Sequence, residues 1–278
     1  MRGGIAIAVA GLMLAVGAAP VRANSGLEKL TNRAALLGWE AVGKIEIGDN
    51  GFCTGALIAT DLVLTAAHCV YDRQTGVAHA ASAFRFRAGL RDGAAIAERG
   101  VVAVVAHPGY TPTQKPTLDQ VRVDAALLKL DQPIPAAQAA PFALFGAGAP
   151  GERVSVVSYG QGRSGALSWQ RDCSLLGQRD GLMAFDCDVT FGSSGAPVFV
   201  REGQRARILT LVSSGGKQED GTPISLGMEL PGVVDTLKRR LRAGGVRPGG
   251  AGAAVKRIQV GAAGSGGRAQ IGARFVKP

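Results

Sequence analysis

Short stretches of apolar and β-branched residues, broken by Gly, Asp and Asn, recur through the middle of the chain and set its expected elements. Segments 39–47, 54–58, 62–65 and 100–106 have this character and read as strands of one sheet. Segment 125–130 continues the pattern, and a Pro- and Ala-rich passage over 132–150 then reads as a connector. Strands resume at 153–159, 181–186, 197–200 and 207–213, which predicts two β units joined by a linker. The period changes only near the end. Over 231–242, Val233, Leu237 and Leu241 recur every four residues between Pro231 and Gly244, predicting one amphipathic helix that packs against the β units.

Both ends of the chain break this pattern. After Arg2, residues 5–19 form an apolar run, and Val21-Arg22-Ala23 offers small residues where a signal peptidase cuts. Residues 1–23 therefore read as a cleaved signal peptide, since the run is shorter than the ~20 residues that span a bilayer. The mature chain then starts near Asn24 and is secreted or periplasmic. Residues 24–38 are polar and Ala-rich at once and read either as a propeptide or as an N-terminal extension of a folded domain at 39–242. Residues 243–278 are Gly-rich and carry Arg247, Lys256, Arg257, Arg268, Arg274 and Lys277 with no acid. They read as a flexible basic tail, capable of weak contact with an anionic surface. No interleaved aromatic residues support base stacking, so nucleic acid is not an expected partner.

Composition narrows the fold class. The chain has 278 residues, 46% apolar and 19% charged, which excludes disorder throughout. Its 41 glycines and 13 prolines favour a loop-rich all-β fold over a helical bundle. Four cysteines, Cys53, Cys69, Cys173 and Cys187, are an even number in an exported chain and favour two local disulfides. No Cys-x-x-Cys pair exists, and the histidines are His68, His79 and His107, so no zinc pattern of ordinary spacing can be assembled. No metal and no cofactor are expected.

Candidate chemistry lies in three separated segments. Residues 53–69 form a strand, a turn and a strand that end in Thr65-Ala66-Ala67-His68-Cys69, and a Cys53 to Cys69 bridge would pin the histidine's backbone. Over 123–130, Asp124 precedes the apolar run Ala125-Ala126-Leu127-Leu128. A carboxylate at such a buried boundary needs a partner, and a histidine N–H satisfies it while fixing the imidazole tautomer. Asp119 is a nearby rival acid. Over 191–199, small residues flank Ser194 in Phe191-Gly192-Ser193-Ser194-Gly195-Ala196-Pro197. They let a substrate carbonyl come close and let the N–H groups of Gly192 and Ser194 converge as an oxyanion hole.

Taken together over 53–199, these motifs resemble the trypsin-like (chymotrypsin-family) serine endopeptidases, and their bacterial glutamyl-endopeptidase-like branch most closely. The resemblance implies two six-stranded antiparallel Greek-key barrels with a C-terminal helix. It implies catalysis by His68, Asp124 and Ser194 through an acyl-enzyme, protein or peptide substrates, and a monomer. The family's Gly-Asp-Ser-Gly-Gly-Pro motif is altered here at Ser193 and Ala196. In digestive members that aspartate receives the new N-terminal amine on activation, so Ser193 implies that this switch cannot operate. An α/β-hydrolase would need a histidine after the nucleophile, and none follows His107. A non-catalytic homologue acting as a binding protein is the alternative, yet no triad member is lost.

Substrate choice is read from the flanks. Six residues before Ser194 lies Asp188, either the acid at the base of a pocket for Lys or Arg or a solvated turn residue. The opposite wall is expected at Ser213-Ser214-Gly215-Gly216, with Ser213 pairing with the substrate backbone and Gly227 leaving room at the mouth. That wall has no histidine, so a strict preference for Glu is not expected. A Cys173 to Cys187 bridge would cross-link a loop bordering the pocket. His107 and His79 have no catalytic role in this reading.

Overall fold

The structure is a computed structural model and describes residues 27–48, 51–113, 116–203 and 205–244. The expected signal peptide and all but the first two residues of the basic tail lie outside the described residues.

The first described strand is β1 (Leu27–Lys29). Strands β2 (Val42–Ile47), β3 (Phe52–Ala59), β4 (Leu62–Thr65), β5 (Phe84–Ala88) and β6 (Ala97–Ala106) follow. After the single-turn helix α1 (Leu118–Val121) comes β7 (Ala126–Leu130). Strands β2 to β7 close into an antiparallel barrel in the order β2-β3-β4-β7-β6-β5, with β5 paired back to β2. Alternation of side chains along the strands turns Ile45, Leu57, Val63, Phe86, Leu128 and Leu130 into its core, all buried.

The second unit comprises β8 (Arg153–Ser158), β9 (Ser168–Arg179), β10 (Leu182–Phe185), β11 (Pro197–Glu202), β12 (Arg205–Leu211), β13 (Ser214–Lys217) and β14 (Pro223–Met228). Its order is β12-β11-β8-β9-β10-β14-β13, and β1 joins it on β9 to make eight strands. The two-barrel architecture is as expected, but this half is a curled open sheet with two more strands than the resemblance implied. The reason sits at the seam. No backbone ladder pairs β12 with β14; instead the Thr210 hydroxyl donates to the Met228 carbonyl and accepts from its N–H, each at 2.8 Å. Close approach there requires Gly227, because a Cβ would lie 2.3 Å from both the Leu211 carbonyl and the Thr210 hydroxyl.

Residues 27–38 are built into this architecture. Leu27, Glu28 and Lys29 pair with Gln170, Trp169 and Ser168, and the Leu30 N–H donates to the Leu167 carbonyl at 2.9 Å. Leu30 and Leu36 are buried in the cluster shared by the two units. The described part of 24–38 thus packs into the fold, and a removable propeptide there would take a strand and two core leucines with it. Leu30→Ala is expected to cost about 2–5 kcal/mol of unfolding free energy, read as a lower urea midpoint.

The passage over 132–150 carries no strand, as expected of a connector, but it is packed down, with Ile134 and Ala139 buried. Phe142 from this passage joins Trp39, Trp169 and Phe199 where the two units meet. The rings of Trp39 and Trp169, and of Trp39 and Phe199, are 4.9 Å apart between centroids, and those of Phe142 and Phe199 4.7 Å. Helix α2 (Leu230–Arg242) spans the same joint, touching β6, β7 and β12. Its deepest residues are Leu230, Val234 and Leu237, with Val233 and Leu241 partly buried, so the stripe runs slightly askew of the predicted four-residue repeat. Pro231 stands in its first turn and Gly244, at φ +98°, follows its end.

Candidate active site

Strand β4 leads into a 3₁₀ turn, Ala67–Val70, that presents His68. The Cys53–Cys69 disulfide ties that turn to β3, and Cys173–Cys187 ties β9 to the residues just past β10. Both bridges favoured by the cysteine count are formed. Cys53, His68 and Cys69 crowd together, but the disulfide leaves no thiolate there to ligate a metal.

Asp124 lies between α1 and β7 with its side chain 5% exposed, and three donors converge on it. Its Oδ1 accepts from the His68 backbone N–H at 2.8 Å. Its Oδ2 accepts from the Ser213 hydroxyl at 2.6 Å and stands 2.7 Å from His68 Nδ1. The carboxylate thus accepts a hydrogen bond from the Nδ1–H, which leaves Nε2 with its lone pair. Burial alone pushes the Asp124 carboxyl up, but His68 and the Ser213 hydroxyl together outweigh it and hold the group below the usual carboxylate range. The rival acid differs in every respect: Asp119 is exposed on α1 and paired with Arg122.

Because the folded Asp124 titrates below its unfolded value, its contribution to stability is complete above about pH 4 and is lost as pH falls through the lower folded value. The urea midpoint of the wild type is therefore expected to drop more steeply on acidification than that of Asp124→Asn. Midpoints measured from neutral pH down to the acid transition check this; parallel curves would contradict it.

His68, Asp124 and Ser194 line one cleft between the two units. His68 Nε2 is buried and has no hydrogen-bond partner among the described residues. The turn that carries Ser194 is pinned from both sides. Thr54 on β3 donates its hydroxyl to the Gly192 carbonyl at 2.8 Å and its N–H to the Ser194 carbonyl at 2.9 Å. The N–H groups of Ser193, Gly195 and Ala196 donate to Thr190, Val212 and Ser193 carbonyls. Those of Gly192 and Ser194 have no protein acceptor among the described residues, and they are the two expected to hold an oxyanion. Gly192 sits at φ +92° with the Phe52 ring 2.3 Å from where a Cβ would be, so this turn admits no larger residue.

The expected specificity residues divide. Gly215 and Ser213 line the cleft, but the Ser213 hydroxyl is engaged by Asp124 and so adds a third anchor to the acid, which its sequence context did not signal. Asp188 does not line the cleft; its N–H donates to the Gln170 side chain at 2.8 Å and its charge acts on Arg163. Gly227 is also absent from the cleft wall, since its place is the β12–β14 seam described above. The recess beside Ser194 is walled by Val189, Thr190, Phe191 and by Val212 to Gly215, none of them charged. Phe191 stands at the rim, 70% exposed, with the Arg73 guanidinium 6.0 Å from its ring centroid.

Two antiparallel β units facing across a cleft, with a buried carboxylate–imidazole pair on one side and a serine turn on the other, define the class as a double-barrel hydrolase. The trypsin-like peptidase domain matches residues 53–205, more than half of the chain, and the chain belongs to that family, as a serine endopeptidase. Solved structures agree in fold. A Glu endopeptidase superimposes with a TM-score of 0.65 at 20% identity, covering 78% of this chain and 97% of its own. The protease Anisep from Arthrobacter nicotinovorans gives 0.60 at 18% identity, over 78% and 99%. The thermostable serine protease AL20 from an extremophilic microorganism gives 0.59 at 17%, over 74% and 98%.

Proposed function

We propose that the protein hydrolyses peptide bonds through a His68–Asp124–Ser194 triad and an acyl-enzyme, in a secreted or periplasmic setting. The observation that carries this reading is His68 itself, held by two bonds to a buried carboxylate with Nε2 unpaired in the cleft that Ser194 lines. Nε2 takes the hydroxyl proton as Ser194 attacks the substrate carbonyl, and Asp124 stabilises the resulting imidazolium. The N–H groups of Gly192 and Ser194 receive the oxyanion, Nε2 returns the proton to the leaving amine, and water then releases the acyl group. Export is supported by two disulfides and by the apolar run of residues 5–19. The test is a fluorophosphonate probe applied to the chain from Asn24, with Ser194→Ala as control. Labelling of the wild type alone is the expected result, whereas equal failure of both would favour a non-catalytic binding protein.

The uncharged walls of the recess support a preference for small or apolar residues before the scissile bond, with Asp188 playing no direct part. A peptide library should therefore show Ala, Val or Leu favoured over Lys, Arg and Glu, and Asp188→Ser should leave the profile unchanged. A preference for Lys or Arg that disappears in Asp188→Ser would return Asp188 to the pocket base.

A further inference from the structure

We propose that Arg163 is a positioning residue for the serine turn, an internal cation that fixes the peptide planes on either side of Ser193. The inference rests on the triad reading above and names a part of that site which the triad does not contain.

Arg163 follows β8 and folds back over the turn. Its Nη1 donates to the Ser158 carbonyl at 2.8 Å, and its Nη2 donates to the hydroxyls of Ser158 and Ser193 at 3.1 and 3.0 Å. Ser193 is fully buried, and its Oγ also meets the Thr190 N–H at 3.4 Å and the Tyr159 carbonyl at 3.3 Å. A hydroxyl has one proton to give and two lone pairs, so donation to Tyr159 and acceptance from Thr190 and Arg163 satisfy it. Removing the guanidinium takes the shared cationic donor from both serine hydroxyls, which lie 3.2 Å apart, and leaves them only each other in its place.

Three further features show that the surroundings are shaped to the cation. At Gly160 a Cβ would lie 2.7 Å from the guanidinium carbon and 2.6 Å from the Thr190 hydroxyl, so the backbone there is cleared for both groups. The Gln161 N–H donates to the Phe191 carbonyl at 2.7 Å, giving a second clasp between the same two loops. Arg163 forms no ion pair among the described residues. Burial lowers its pKa, and the charge of Asp188 only partly offsets this. A half-buried cation kept at that cost, with neutral oxygens as its bonded partners, is spent on geometry.

That geometry bears on chemistry because Ser193 stands between the two oxyanion donors. The Gly192 N–H precedes it and the Ser194 N–H follows it, and a rotation at Ser193 turns the donors out of convergence. Donors misaimed in this way lose transition-state stabilisation with little change in substrate binding.

The test compares wild type, Arg163→Ala, Arg163→Lys and Ser193→Ala by fluorophosphonate labelling rate and by kcat and KM on a peptide substrate, each checked for a cooperative melt. Arg163→Ala should lower kcat and the labelling rate about 10- to 100-fold with KM nearly unchanged. Arg163→Lys should fall between, and the Arg163→Ala/Ser193→Ala double variant should be no worse than the poorer single one. Millimolar guanidinium added to Arg163→Ala should restore part of the lost rate.

Wild-type rates in both folded Arg163 variants would overturn the proposal while leaving the triad reading intact. So would loss of a cooperative melt in both, because Arg163 would then serve folding alone. Failure of the wild type itself to label, equal to Ser194→Ala, would remove the triad reading and this inference with it.

Discussion

Ser194→Ala and His68→Ala are each expected to lower kcat on the order of a millionfold, and the double variant to lose little more. The expectation follows from how the two groups depend on each other. In the proposed mechanism Ser194, a weak nucleophile at neutral pH, depends on Nε2 to lower its barrier by removing its proton during attack. Once either is gone the other has no partner, so a second deletion finds nothing further to remove. The residual rate should still exceed that in water, because the Gly192 and Ser194 N–H groups and the cleft walls remain. Steady-state hydrolysis of a peptide anilide by the three variants checks this. Losses that multiply in the double variant would mean that the two side chains act separately.

Asp124→Asn is expected to lower kcat by about 10⁴-fold with the fold retained. The carboxylate's two oxygens accept from the His68 backbone N–H, the His68 ring and the Ser213 hydroxyl. An amide keeps one acceptor and turns the other position into a donor. With its oxygen toward the backbone N–H, its NH₂ group faces Nδ1, so Nδ1 must become an acceptor and the ring proton moves to Nε2. The base is then protonated on the nitrogen that should receive the serine proton. Substrate binding is untouched by this change, so KM should move little. A matching loss in Ser213→Ala is not expected, because that variant removes one donor and leaves the tautomer set by the carboxylate.

Much of this site was legible in the sequence because each part sits in a short local context. His68 ends an apolar strand beside a cysteine, Asp124 opens one, and Ser194 lies among small residues, and all three come to one cleft. The first barrel was legible for a similar reason: β4 matches its predicted bounds and β3 and β7 match within two residues, since each holds a short apolar run, Ala56 to Ala59, Leu62 to Leu64 and Ala126 to Leu128. The second unit was harder to read. Strand β9 carries exposed Arg171 and Asp172 in its middle and β14 begins with proline, so neither shows the apolar run that marks a strand. Their burial is set by the strands that flank them, β8 and β10 for one and β10 and β13 for the other, rather than by an apolar run of their own. Strand β5, Phe84-Arg85-Phe86-Arg87-Ala88, does alternate, but its five residues give a weak signal beside its longer neighbours. Arg163 had no signal, since nothing in its flanks distinguishes it from a surface residue, and Ser213 was legible as a wall residue but not as a partner of Asp124. For Asp188 the sequence left two readings open, a pocket acid or a turn residue, because counting along the chain does not say which way a side chain faces.

The two tryptophans of the sequence, Trp39 and Trp169, are neighbours in the joint between the units rather than residues of either barrel core. Intrinsic fluorescence of this protein is therefore a gauge of how the halves are docked. The Arg171 guanidinium, 3.8 Å from the Trp169 ring centroid, places one chromophore under a cation whose removal would retune the emission without opening the joint. Parting of the two halves would register in the emission before any strand melted, while circular dichroism in the peptide region stayed flat.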